Sequence, residues 1–99
     1  MNYRPLPDFL EIRVSDIDGY GLFTKEILGI GENLGITHMK NKDFEDGRIR
    51  TPLGGFINHS DTPNCELIDI GKYYYLITKK DVMPDEELTV QYTLYKVKV

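Results

Sequence analysis

Strand-like patterns dominate the order of apolar and polar residues, and no amphipathic helix of ordinary length is written into the chain. Phe9-Leu10-Glu11-Ile12-Arg13-Val14 alternates in part and reads as a first strand. Asp18-Gly19-Tyr20-Gly21 follows as a turn with close backbone approach, and Leu22-Phe23-Thr24-Lys25 opens a second strand. The clearest pair is Glu66-Leu67-Ile68-Asp69-Ile70 with Tyr73-Tyr74-Tyr75-Leu76-Ile77-Thr78. Gly71-Lys72 joins them, and glycine at the first position of a two-residue loop predicts a type II′ hairpin. From Thr37 to Gly54 the chain is charged and lacks periodicity, so it reads as a connection with one helical turn near Asp43-Phe44-Glu45-Asp46. These elements predict a mostly β fold.

The chain also echoes itself. The segment from Thr24 to Ile36 aligns without gaps on the segment from Thr78 to Val90, with Thr, Lys, Glu and Leu repeated at corresponding places. In each copy a strand end meets a turn, built on Gly31 or on Pro84-Asp85, before a second short strand. Gly and Asp both tolerate the left-handed backbone that such a turn needs. Two similar halves related by a pseudo-two-fold axis are expected.

With 99 residues, the chain suits one compact domain spanning 1–99. A domain of this size buries only about two-thirds of its unfolded surface. Its core must be well packed, or a second copy must add burial. The net charge of −4 argues against a nucleic-acid binder, whose phosphate contacts need clustered Lys and Arg, and is compatible with a basic partner. Cys65 is the only cysteine, which excludes an internal disulfide and zinc-finger spacing and fits a reducing compartment, cytosol or nucleus. The N-terminal residues lack the apolar core of a signal peptide, and no apolar run approaches membrane-spanning length. A soluble intracellular protein without membrane association is expected.

Several chemistries can be weighed on the residues alone. Gly19-Tyr20-Gly21 and Gly29-Ile30-Gly31 each begin a dinucleotide fingerprint, but Thr24 and Leu34 stand where its third glycine belongs and no long helix follows. Cys65 with His59 is a conceivable thiol and base, yet a cysteine ahead of an apolar strand reads as a buried small hydrophobe. His38, His59 and Asp61 have no recognised metal-ligand spacing, so no metal site is assigned. Taken singly, His59 is a turn residue and Tyr92 a strand aromatic.

Taken in order, the residues say more. Gly19-Tyr20-Gly21-Leu22-Phe23 is followed by Phe56-Ile57-Asn58-His59-Ser60 with Pro63-Asn64, and then by Glu87-Leu88-Thr89-Val90-Gln91-Tyr92. This series resembles the SET-domain lysine methyltransferases over about residues 9–95, and the middle motif is its most specific part. The resemblance implies a SET-domain β-clip of short curled sheets with a C-terminal pseudoknot. It also implies S-adenosylmethionine as cofactor and methyl transfer to a lysine amine of a basic protein or peptide such as a histone.

Carried over by motif, Gly19, Tyr20 and Gly21 would approach the methionine end of the cofactor, and Asn58 and His59 would hold it. Tyr92 would be the catalytic tyrosine, and Tyr95 would supply an aromatic lid. The chain departs from the family pattern at Gly55, where Arg is frequent, at Asp61, which replaces a zinc-binding cysteine, and at Gln91, which replaces Asp. The middle insert, within Thr37 to Gly54, is very short. These departures bear on the substrate groove more than on the cofactor site. Three readings follow: a working methyltransferase, a catalytically inactive SET-fold binding module, and a β-clip scaffold without cofactor. Short stand-alone members of this family include dimers, and a homodimer is expected here.

Overall fold

The structure, a computed structural model, describes residues 6–40 and 48–91. Its strands are Leu10–Val14 (β1), Tyr20–Thr24 (β2), Asn33–Lys40 (β3), Arg48–Arg50 (β4), Asn58–His59 (β5), Cys65–Ile70 (β6), Tyr73–Thr78 (β7) and Glu87–Val90 (β8). One helical turn, Pro52–Gly55 (α1), lies between β4 and β5. The strands form two four-stranded sheets, ordered β1-β2-β8-β5 and β4-β3-β7-β6. Leu10, Leu22 and Leu88 from the first sheet meet Leu34, Cys65 and Leu76 from the second in one buried core.

The expected hairpin is present, with Ile70 paired to Tyr73 and Cys65 to Thr78. Gly71 has φ +64°, whereas Lys72 stays out of the positive region. That combination is the type II′ pattern, since type I′ requires positive φ at both central residues.

The internal echo is structural. Leu28 and Val82, equivalent positions in the two copies, face each other as an isolated antiparallel pair. Leu28 N donates to Val82 O at 2.8 Å, and Val82 N donates to Leu28 O at 2.9 Å. Around this pair the bonds repeat. Thr24 N donates to Glu86 O as Thr78 N donates to Glu32 O, and Asp85 N donates to Thr24 O as Gly31 N donates to Thr78 O. Gly31 at φ +84° and Asp85 at φ +70° make the left-handed turn in each copy. The β2·β8 pairing therefore corresponds to β7·β3, with Phe23 opposite Glu87 in one and Ile77 opposite Asn33 in the other.

The stretch from Thr37 to Gly54 is more regular than its sequence suggests. Its first four residues continue β3, three more form β4, and Pro52–Gly55 forms α1. Two register shifts interrupt β3, between Asn33 and Gly35 and between Ile36 and His38. Each irregularity breaks the period of two, so Asn33, Ile36 and Met39 share a face at intervals of three and the alternation is hidden. The helical turn expected near Asp43–Asp46 lies outside the described residues.

Thr51 starts α1. Its hydroxyl accepts from Gly54 N at 3.3 Å, and Pro52 occupies the first turn, where a missing N–H costs nothing. The turn rests directly on β3, because a Cβ on Gly54 would fall on the Thr37 backbone carbonyl, whereas one on Gly55 meets open space. Gly54→Ala should therefore destabilise the fold by about 1–3 kcal/mol through overpacking. Gly55→Ala should be neutral or stabilising by up to about 1 kcal/mol. Urea unfolding of both variants checks this contrast.

Candidate functional site

Strand β8 brings the three motifs together. β2, which carries Tyr20 and Gly21, pairs antiparallel with it through Leu22–Leu88 and Phe23–Glu87. β5, which is the Asn58-His59 pair, runs parallel to it, with Asn58 opposite Thr89 and His59 opposite Val90. Ser60 N then donates to Val90 O at 2.9 Å. Leu88, Thr89 and Val90 are buried, so their backbone groups must find partners within the protein.

The backbone groups of Glu87 and Thr89 point to the opposite edge from those of Glu86 and Val90, because strand groups alternate. Here the partner is a side chain. Asn64 Nδ2 donates to Glu87 O at 2.9 Å, and Thr89 N donates to Asn64 Oδ1 at 2.9 Å. Asn64 is buried, and its amide takes the place of a neighbouring strand. Sequence reasoning placed Asn64 in a motif without a role. Its location in a Pro-Asn corner after a polar loop was the available signal.

Asn58 is the centre of the polar cluster. Its Nδ2 donates toward four oxygens: Glu87 Oε2 at 2.8 Å, Ser15 Oγ at 3.1 Å, Asp18 O at 3.1 Å and Tyr20 O at 3.2 Å. Ser15 Oγ donates to Glu87 Oε1 at 2.7 Å and accepts from Ile17 N and Asp18 N. The structure thus joins Asn58 to the Gly19–Gly21 loop, directly and through two residues that sequence reasoning gave no role, Ser15 and Glu87. Gly19 has φ +47° and open space beside its Cα. Gly21 is different, since a Cβ there would land on the Glu87 carboxyl, 2.6 Å from its Cδ. Its bareness accommodates a side chain of this protein.

The two residues of the Asn-His pair diverge. The His59 ring is partly exposed, with Nε2 3.0 Å from Asp61 Oδ1. His38 lies in the other sheet, buried, with Nδ1 2.9 Å from Thr37 Oγ1 and its ring edge-on to Tyr74. Among the described residues no three His, Cys, Asp or Glu side chains gather as metal ligands. Cys65 is fully buried, and burial, with a smaller push from Glu66, raises its thiol to about 12. A thiol so placed stays protonated near neutrality and is no nucleophile. Tyr92 and Tyr95 lie outside the described residues.

The sequence model of the SET domain matches residues 36–93, more than half of the chain. This chain belongs to the SET-domain family. Probable histone-lysine N-methyltransferase set-23 of Caenorhabditis elegans is 36% identical over 80 residues, and its Caenorhabditis briggsae counterpart is 34% identical over 80. The alignments take in 76% of this chain and 30% of each relative, so the chain spans under a third of the length of these proteins.

Among solved structures, a candidate histone methyltransferase of Plasmodium falciparum superposes with a TM-score of 0.71 at 18% identity, covering 88% of this chain and 95% of that one. The methyltransferase domain of human PR domain-containing protein 2 superposes with a TM-score of 0.67 at 18% identity, covering 86% and 77%. At this identity the likeness establishes the fold, which is the mostly β SET architecture. Among the described residues no helix is long and apolar enough to cross a membrane.

The Asn64 bridge yields a direct expectation. Asn64→Asp removes the donor to Glu87 O and sets a carboxylate against that carbonyl. Leaving a buried polar group unpaired costs about 1–3 kcal/mol. Asn64→Asp should lower stability by at least that amount in denaturant titration at neutral pH, with partial recovery at low pH, where a protonated carboxyl can donate again.

Proposed function

We propose that this chain is an S-adenosylmethionine-dependent protein-lysine N-methyltransferase acting on a basic, histone-like protein segment in an intracellular setting, cytoplasmic or nuclear. One observation carries the cofactor assignment. The Asn58 amide turns its N–H groups into the protein, and no donor among the described residues reaches its Oδ1. An unmatched acceptor beside the carbonyls of Asp18 and Tyr20, near the open flank of Gly19, fits the ammonium and backbone-like end of an amino-acid cofactor.

When bound, S-adenosylmethionine supplies a methyl group on a sulfonium, an electrophile that requires no covalent enzyme intermediate. In this reading Asn58 Oδ1 accepts from the cofactor's ammonium, Gly19 leaves its backbone approachable, and His59 borders the site. Tyr92, two residues beyond β8 in sequence, would be the catalytic tyrosine that orients the target amine, and Tyr95 would supply the aromatic lid. A free lysine amine has a pKa of about 10.4, so the channel must favour its neutral form, which apolar surroundings do. Orientation of amine, methyl and sulfur accounts for several of the roughly 7–11 kcal/mol available from positioning.

The second reading, a SET-fold module without catalysis, draws on the same amide. Its donors already fasten the chain's own loop, a purpose that needs no cofactor. Calorimetric titration with S-adenosylmethionine and S-adenosylhomocysteine separates the two. Saturable binding that disappears in Asn58→Ala is expected. Tyr92→Phe should keep that binding and lose methyl transfer to basic peptides by roughly a hundredfold, the scale of a misplaced reacting group. Full activity in Tyr92→Phe, or no binding by the folded wild type, would refute the assignment.

Self-association belongs to this proposal. Cross-strand partners share a face, so Ile36, Ile68, Ile70, Tyr73, Tyr75 and Ile77 line the side of the second sheet away from the core. Ile70 is 54% exposed and the other five are half-buried. Three strands about 4.8 Å apart, over about six residues each, present roughly 300 Å² in plan. Side-chain relief brings such a face toward the ~600 Å² per partner of the smallest specific interfaces. A second copy is the occupant proposed. Sedimentation at micromolar concentration should give a dimer for the wild type and a monomer for Ile70→Glu; a monomeric wild type would count against it.

A further inference from the structure

We propose that Glu87 is a positioning residue that sets which way the Asn58 amide faces, and that Gly21 is bare in order to admit it. The inference rests on the cofactor reading above. An asparagine amide has two nearly isosteric orientations, one presenting N–H groups and the other an oxygen. A carboxylate accepts and cannot donate, so the oxygen orientation is excluded wherever the amide meets it. Glu87 Oε2 makes the shortest of the four Asn58 contacts, at 2.8 Å, and is the only carboxylate oxygen among them. The carbonyls of Asp18 and Tyr20 also only accept, and hydrogen bonds to a charged group are about twice as strong as neutral ones, which makes Glu87 the strongest of the three contacts that hold the amide this way round.

Glu87 also acts through Ser15. Its Oε1 accepts from the Ser15 hydroxyl at 2.7 Å, which leaves the lone-pair side of the Ser15 oxygen to accept from Ile17 N, Asp18 N and Asn58 Nδ2. That arrangement shapes the loop whose carbonyls at Asp18 and Tyr20 complete the ring around the amide. One carboxylate therefore holds both the amide and the loop that faces it. It reaches this position because Gly21, on the neighbouring strand, has no side chain: a methyl there would occupy the carboxyl's place and touch Ser15 Cβ at 3.1 Å. With the N–H groups turned inward, Asn58 Oδ1 is the atom presented to a ligand, and it selects a donor such as the cofactor's ammonium.

The decisive comparison uses two ligands, S-adenosylhomocysteine, which carries the amino-acid end, and 5′-methylthioadenosine, which lacks it. Glu87→Gln should weaken S-adenosylhomocysteine about tenfold, the effect of one charged hydrogen bond. It should leave methylthioadenosine affinity at its wild-type value. Gly21→Ala should reproduce that selective loss, and the double variant should be no worse than either single one, because both act on one contact. Unchanged S-adenosylhomocysteine affinity, or equal loss of both ligands, would overturn the positioning role and leave the cofactor reading intact. A wild type that binds neither ligand would overturn the cofactor reading, and this role with it. The orientation lock is followed separately in the ligand-free protein. The Asn58 side-chain amide protons should exchange slowly in wild type and quickly in Glu87→Gln, and identical exchange would sink the lock.

Discussion

Everything at the candidate site depends on how a four-residue strand, buried over three of its residues, satisfies its backbone. β8 pairs with β2 and then with β5, and the Asn64 amide meets the backbone groups of Glu87 and Thr89. Burial forces this completeness, since an orphaned backbone group away from water costs about as much as several ordinary contacts supply. The three separated motifs are therefore not gathered by their own affinity for one another. They are gathered because each provides a partner that β8 lacks, and the polar cluster around Asn58 forms where those partners converge.

The pseudo-two-fold arrangement explains why so short a chain can build such a strand at all. Leu28 and Val82 exchange both backbone hydrogen bonds on the axis, and each copy closes its turn with one residue of positive φ. One copy delivers β3 to β7, and the other delivers β8 to β2. The copies then diverge in use. In the first sheet the open flank becomes the Gly19–Gly21 loop with Asn58, while the second sheet carries an apolar outer face. Local pairing is common to both halves, and the chemistry lies in what was added to one of them.

The glycines of one motif meet different surroundings. Both were expected to clear space for a cofactor. Gly19 has a left-handed φ and an open flank. Gly21 makes room for Glu87, a residue 66 positions away whose carboxyl sits where a Cβ would go. Sequence inspection registers that a side chain is absent and cannot say which neighbour needs the space.

The sequence by itself determined the elements whose signals are local: the β6–β7 hairpin through Gly71, the paired turns at Gly31 and Asp85, the buried character of Cys65, and the motif series that marks the family. These depend on backbone preference and short-range pattern, which neighbouring residues encode. Only the tertiary structure decided the path of β3, because its two bulges erase the alternation that would have announced a strand. It alone assigned Asn64, Ser15 and Glu87 their tasks, since each contacts groups more than twenty residues distant as well as any local partners. A hydrogen bond across the fold leaves no trace in residue order, and that is why the scaffold was legible in advance while the wiring of its polar centre was not.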